Sequence, residues 1–154
     1  MRFDVRPAEA SDGEPIRDVV RAALIEHGLP PDPSHTDADL DDVLSFYVAR
    51  GGLFDVALDE DGVLVGTVGV LPLENGRCEL RKMYLAPRAR RHGLGQRLLD
   101  RAMTQARLRG FTVMELETAA PLKAAMALYE KNGFVRVERA VSVSRCDRAY
   151  ERVL

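Results

Sequence analysis

The chain has 154 residues, 46% of them hydrophobic, which suits one domain with a real core. Its 22 basic and 24 acidic residues give a net charge of −2, so no global positive field is available to hold nucleic acid. No run approaches the roughly 18 apolar residues of a membrane span, and residues 1–5 have no signal-peptide core. Two cysteines, Cys78 and Cys146, make neither a disulfide framework nor a metal-ligand spacing. The expectation is a cytoplasmic protein of one domain, residues 1–154, without metal.

Residues 3–6 read as a short first strand. Ser11-Asp12-Gly13-Glu14 has the capping-box pattern, and Ile16, Val19, Val20, Ala23 and Leu24 follow at helical spacing until Gly28. Residues 29–34 hold three prolines and read as a loop. A second helix is expected from Thr36, with Leu40, Val43, Leu44 and Tyr47 on one face, stopped by Gly51-Gly52. Strands at 53–58, 63–71 and 77–85 are joined by Asp59-Glu60-Asp61-Gly62 and by Asn75-Gly76, so they form an antiparallel meander. A third helix spans 94–109 with Leu94, Leu98, Leu99, Ala102 and Ala106 inward. A strand at 111–118, a helix at 121–131 ended by Asn132-Gly133, and an antiparallel pair at 134–140 and 145–154 complete the chain. The order β-α-α-β-β-β-α-β-α-β-β describes a mixed, mostly antiparallel sheet of about seven strands with four helices, an α+β domain in three layers.

The most informative stretch is Arg90-Arg91-His92-Gly93-Leu94-Gly95-Gln96, between the fourth strand and the third helix. Two glycines one residue apart let the backbone turn tightly with no side chain in the way. The first N–H groups of the helix then have no partner, which makes an anion site suited to phosphate. A Walker loop would need Gly-Lys-Ser/Thr, and Gly95-Gln96-Arg97 stands there instead. A dinucleotide fingerprint would need a third glycine where Leu98 stands. Arg-x-x-Gly-x-Gly is met by Arg90, Gly93 and Gly95. The basic cluster Arg88, Arg90, Arg91 and Arg97 suits anion attraction at the same place.

This element order and loop resemble the GNAT superfamily of acetyl-CoA-dependent N-acetyltransferases. A second motif carries the resemblance: Ala125-Met126-Ala127-Leu128-Tyr129-Glu130-Lys131-Asn132-Gly133-Phe134 is similar to the family's A-x-x-L-Y-E-K-x-G-F. The stretch from Cys78 to Pro87 is also similar to the fourth strand of small bacterial members. The resemblance implies acetyl-CoA as donor and direct transfer to an amine in a ternary complex. It implies that Met83, Tyr84 and Leu85 run beside the pantetheine arm and offer an oxyanion donor. It also implies that Arg91, His92, Gly93, Leu94, Gly95 and Gln96 hold the pyrophosphate, with Arg90 beside them.

Such chemistry needs a neutral amine, a stabilised oxyanion and a protonated leaving thiolate. Tyr129 matches the family's acid; its spacing with Ala125 and Leu128 is also that of a core tyrosine. Glu79, on the fourth strand, is the candidate base, and strict alternation puts it on one face with Arg81, Met83 and Leu85. An ion pair with Arg81 is the plainer role for it. Where many members have a cofactor-binding asparagine, this chain has Leu122; Thr118 and Lys123 are the candidate substitutes. In this fold the segment after the first helix walls the acceptor site, which makes His27 and His35 substrate-binding candidates with Tyr47 and Arg81. Arg81 suits an acceptor carboxylate, hence a small, amino-acid-like amine. A peptide or protein acceptor, a non-catalytic acyl-CoA sensor and a nucleotide-binding α/β protein are the other readings. No nucleic-acid or membrane partner is expected, and a homodimer is left open.

Overall fold

A computed structural model describes residues 1–154. Seven strands alternate with three α-helices along the chain. They are β1 (Asp4–Pro7), α1 (Gly13–Glu26), β2 (Leu53–Leu58), β3 (Leu64–Pro72) and β4 (Arg77–Leu85). Then come α2 (Leu94–Leu108), β5 (Val113–Thr118), α3 (Lys123–Lys131), β6 (Val135–Val137) and β7 (Arg148–Val153). The strands form one sheet in the order β1-β2-β3-β4-β5-β7-β6. Every pairing is antiparallel except the central one, β4 with β5. The expected α+β, three-layer architecture is present.

One core lies under α2 and α3, where Leu94, Leu98, Leu99, Ala102 and Ala106 meet Val68, Val70, Leu80, Met114 and Leu116. The inward face read from helical spacing is therefore the buried one. The other core lies under α1, where Ile16, Val20 and Leu24 meet Leu40, Val43, Tyr47, Phe54 and Val56. Each large apolar side chain buried this way contributes roughly 1.5–3 kcal/mol of transfer free energy.

The expected second helix is not an α-helix. Residues Ala38–Asp41 make a 3-10 turn and Leu44–Val48 a π turn, separated by Asp42 at φ −153, ψ 88. The cause is tertiary. Asp39 is buried and receives the Lys82 ammonium of β4 at 3.0 and 3.1 Å as well as the Tyr47 hydroxyl of its own segment, which pins the segment to the sheet and folds it back on itself. Leu40, Val43 and Tyr47 still reach the core. The start of α1 also differs: the Glu9 N–H donates to Asp12 at 2.7 Å, and Arg6 clamps that carboxylate at 2.7 and 3.0 Å. Those bonds take the place of the expected Ser11–Glu14 box. The last two strands are shorter than expected, and residues 138–147 connect them.

Strict alternation fails in β4. Gly69 faces Arg81 and Thr67 faces Tyr84, so β4 spends one more residue than β3 across this interval. That is a β-bulge. Lys82 sits in it at φ 53, a left-handed conformation unusual for a residue with a side chain. Cross-strand partners share a face, so Glu79, Arg81 and Tyr84 point to the α1 side, and Leu80 and Leu85 to the α2 side. The expected grouping of Met83 and Leu85 with Glu79 is thereby corrected, since both pack against the core under α2. The bulge is held by charge: Lys82 Nζ lies 3.0 Å from Asp39 and 3.3 Å from Asp37, and its side chain is only 4% exposed. Removing one partner of such a cluster leaves buried charge uncompensated. Lys82→Ala is expected to lower the unfolding free energy by about 3–5 kcal/mol, read as a shift of the urea midpoint at unchanged slope. A midpoint within error of wild type would deny the cluster that role.

Candidate active site

The parallel register of β4 and β5 runs only from Arg77↔Val113 to Glu79↔Glu115. Beyond it the strands part, and β4 continues to Leu85 with no strand on that side. A cleft of about 620 Å³ opens there. β4, the start of α2 and α3 line it, together with the end of α1 and the segment before β7.

At one end of the cleft stands the N-terminus of α2. Gly93 is its N-cap at φ 74, and no side chain caps it. The first amide to reach back is that of Arg97, onto the Gly93 carbonyl at 3.1 Å. The N–H groups of Leu94, Gly95 and Gln96 are thus left facing the opening, with the positive end of the helix behind them. Gly95 is helical, and a Cβ built on it would point to Leu128 at 3.5 Å, Leu85 at 3.7 Å and Met83 at 3.9 Å, across the cleft. Arg91 also takes a positive φ, 65, and lines the opening. Arg90 is committed elsewhere. It clamps Glu26 at 2.6 and 2.8 Å and the Leu85 carbonyl at 3.0 Å, tying the loop to α1. The Gln96 side chain bonds Asp100 and Asn132, so only its backbone faces the cleft.

Glu79, Arg81, Glu117 and Tyr129 line the same cleft, Glu79 where β4 leaves β5. Burial raises the carboxyl pKa of Glu79; Arg81, with Nε at 3.5 Å, opposes this and Glu117 adds to it. Glu79 accepts no hydrogen bond within the protein, which leaves its oxygens available. Glu117 is taken by the N–H groups of Ser142 and Val143 and by the Ser142 hydroxyl at 2.8–3.1 Å. The Tyr129 ring packs on Phe134 at 5.7 Å and Tyr150 at 6.5 Å. Its hydroxyl makes no bond within the protein yet is not sealed from the cleft. Burial holds that phenol well above its ordinary value, so it stays protonated. The core tyrosine and the cavity hydroxyl are one residue: the ring does the first job and the oxygen the second.

Of the residues singled out from the sequence, Glu79, Tyr129, Met83, Tyr84, Leu85, Arg90, Arg91, Gly93, Leu94, Gly95, Gln96, Thr118, His27 and Arg81 line this one cleft. Four do not. His92 stacks on Phe3 at 5.8 Å. Lys123 points to a shallow hollow on the outer side of α3. His35 is exposed and bonds Asp32 and Ser34. Tyr47 is fully buried and donates to Asp39. Thr118 is therefore the one of the two proposed substitutes that reaches the cleft beside Leu122. Sequence reading missed Lys82, Arg145, Cys146 and Glu117. Lys82 reaches a segment 46 residues away, and Arg145 reaches Asp37 across 108 residues. No local pattern reports such pairs.

A mixed sheet whose central strands part beside an uncapped helix start defines an α+β domain with an open cleft at its centre. Residues 20–134 match the sequence model of the acetyltransferase (GNAT) family. The chain is 39% identical over 142 residues to YjgM, an uncharacterized N-acetyltransferase of Escherichia coli (strain K12), covering 89% of this chain and 84% of that one. Its fold superposes with a TM-score of 0.94 on a GNAT-family acetyltransferase of Staphylococcus aureus, at 23% identity and 99% coverage of both chains. It superposes at 0.79 on a phosphinothricin acetyltransferase of Sinorhizobium meliloti in complex with AcCoA, at 22% identity, covering 100% of this chain and 89% of that one. The chain belongs to the GNAT family and is an acetyl-CoA-dependent acyltransferase.

The two glycines of the loop separate by mechanism. At φ 74, Gly93 tolerates a side chain only with strain, whereas Gly95 is helical and merely faces the cleft. Gly93→Val should cost about 1–2 kcal/mol of stability and Gly95→Val should cost none, while both weaken coenzyme A binding. Thermal unfolding and calorimetry on the two variants check this. Unchanged affinity in folded Gly95→Val would remove the loop from the binding site.

Proposed function

We propose that this protein moves an acetyl group from acetyl-CoA to the amine of a small, amino-acid-like molecule, by direct attack with both substrates bound. The observation that carries the reading is one continuous cleft. It is lined by an uncapped helix start, by the free edge of β4, and by Glu79, Arg81 and Tyr129. The residues fit the donor. The N–H groups of Leu94, Gly95 and Gln96, with Arg91, match its phosphates. The edge of Met83 to Leu85 and the apolar faces of Leu122, Ala125 and Leu128 match its arm. Thr118 takes the polar contact that Leu122 cannot make. When bound, the donor supplies an acetyl thioester.

The chain's own groups then do the following. Glu79 accepts the proton of the attacking ammonium, directly or through one water. Its burial raises its basicity above that of an ordinary glutamate. Arg81, 3.5 Å from Glu79 and pointing to the same face, holds the acceptor's carboxylate. Backbone N–H groups at the bulged edge donate where negative charge develops, with no reorganisation needed. Tyr129 gives its proton to the departing thiolate, and burial keeps that proton on the phenol until it is needed. A screen of amines that follows free thiol tests the whole reading. Tight coenzyme A binding with no thiol release from any amine would favour a sensor instead.

Two variants test the roles. Tyr129→Phe keeps the ring packed and removes only the proton, so turnover should fall about 10²–10⁴-fold with coenzyme A affinity unchanged. Equal turnover would return Tyr129 to the core alone. Glu79 is the pH test. Its pKa in the folded state is raised, so its basic form appears only as pH climbs through that raised value. kcat/KM should therefore rise along a limb above the ordinary glutamate range, and Glu79→Gln should lose both the limb and most of kcat near neutral pH. A higher acceptor KM with kcat intact would make Glu79 a binding residue.

A further inference from the structure

Two segments of the cleft wall are bonded to each other as well as to the sheet beneath. One is the segment after α1, where Thr36 lines the cleft and Asp37 sits behind it. The other precedes β7, where Val143, Arg145 and Cys146 line the cleft. Arg145 grips Asp37 with both terminal nitrogens, at 2.6 and 2.9 Å, and reaches the Pro30 carbonyl at 3.4 Å. Both side chains are nearly closed off from solvent, at 7% and 8% exposed. Each segment is also anchored to the sheet. Asp37 is held by the Lys82 ammonium at the bulge, 3.3 Å away. The segment before β7 is held at Ser142 and Val143 by Glu117 of β5. The parted strands β4 and β5 are thus bridged by a chain of contacts that runs Lys82, Asp37, Arg145, Val143, Glu117. A buried, two-pronged arginine–carboxylate pair is rigid as well as strong.

We propose that the Asp37–Arg145 pair is a specificity determinant: it closes a strap over the acceptor end of the cleft, which admits a free small amine and refuses an amine at the end of a polypeptide. The inference rests on the acyl-transfer reading for its acceptor but not for its geometry. Arg145 acts here by positioning two wall segments, not by touching the reacting atoms. Lys82 and Arg145 together offset the charges of Asp37 and Asp39, so the junction of the two segments is electrically closed.

Cys146 gives a readout of the strap that needs no turnover. Its thiol lies inside the strap, within electrostatic reach of Tyr84, Tyr129, Glu79 and Glu117, while the other cysteine, Cys78, is fully buried. Alkylation by iodoacetamide and by a maleimide carrying a long polyethylene glycol chain is compared as a ratio. The ratio cancels the slow absolute rate that follows from a thiol pKa pushed up to about 11. In the native wild type the bulky reagent should be disfavoured relative to the same ratio in urea-unfolded protein. In Arg145→Gln that discrimination should fall roughly ten- to hundredfold, the change in open population that loss of a charged hydrogen-bonded pair brings. Arg145→Lys should recover part of it. In parallel, wild type should acetylate free amino acids but not peptides that begin with the same residues, and Arg145→Gln should narrow that gap mainly through KM. An alkylation ratio that is the same in native and unfolded wild type, or in wild type and Arg145→Gln, overturns the strap. So does equal acetylation of peptide and free amine. If no amine is acetylated while the alkylation ratio shifts as expected, the acyl-transfer reading fails and the strap stands.

Discussion

The parting of β4 from β5 is the constraint on which the rest of the structure depends. Two strands that pair from Arg77↔Val113 to Glu79↔Glu115 leave an unpaired β4 edge from there to Leu85. Backbone N–H and C=O groups inside a protein must find partners. A sheet interrupted at its centre therefore offers hydrogen bonds to an extended ligand in the way a neighbouring strand would. α2 starts beside that gap, with its first N–H groups uncapped. The edge suits an elongated arm and the helix start suits phosphate, and the two lie end to end.

Keeping the gap open takes charge in the interior. The bulge puts Lys82 at φ 53 and turns its ammonium inward onto Asp39 and Asp37. Burying charges is unfavourable unless they are paired and hydrogen-bonded, and here each of them is. Asp39 also takes the Tyr47 hydroxyl, and Asp37 takes Arg145 and the Asp32 amide. The same cluster breaks the expected second helix into a 3-10 and a π turn. One set of ion pairs thus shapes the strand that carries the site and the segment that walls it. The half-buried carboxylate of Glu79 differs in kind. It has Arg81 near but no hydrogen bond, so burial acts on it unopposed by donors and raises its basicity. Structural carboxylates here are saturated with donors, and the candidate base is not.

Much of this was legible in the residues. Helical spacing identified the buried face of α2, and Asn75-Gly76 and Asp61-Gly62 marked the turns of the meander. The glycines at 93 and 95 announced an open helix start, and the Ala125–Phe134 motif identified Tyr129. These signals are local: a period, a turn or a cap depends on residues within a few positions of one another. Local reading erred where a distant partner intervened. Alternation grouped Leu85 with Glu79 because a bulge leaves no mark in a string of strand-forming residues. Lys123 lines a separate hollow rather than the cleft, because one position around a helix turns a side chain by about 100°. Tyr47 had the right spacing to face inward and proved to be wholly inside, bound to Asp39 rather than open to a substrate.

The sequence by itself determined the order of the strands, the buried faces of α1 and α2 and where a helix starts uncapped, because those follow from spacing and from backbone freedom at two glycines. Only the tertiary structure decided where the sheet opens, which carboxylates are free and which are saturated, and how the cleft is walled. Lys82 with Asp39, Arg145 with Asp37, and Glu117 with Ser142 are separated by tens of residues along the chain and meet only once the sheet has formed. Their pairing offsets a desolvation cost that arises only on folding, and that environment belongs to the folded molecule rather than to any stretch of its sequence.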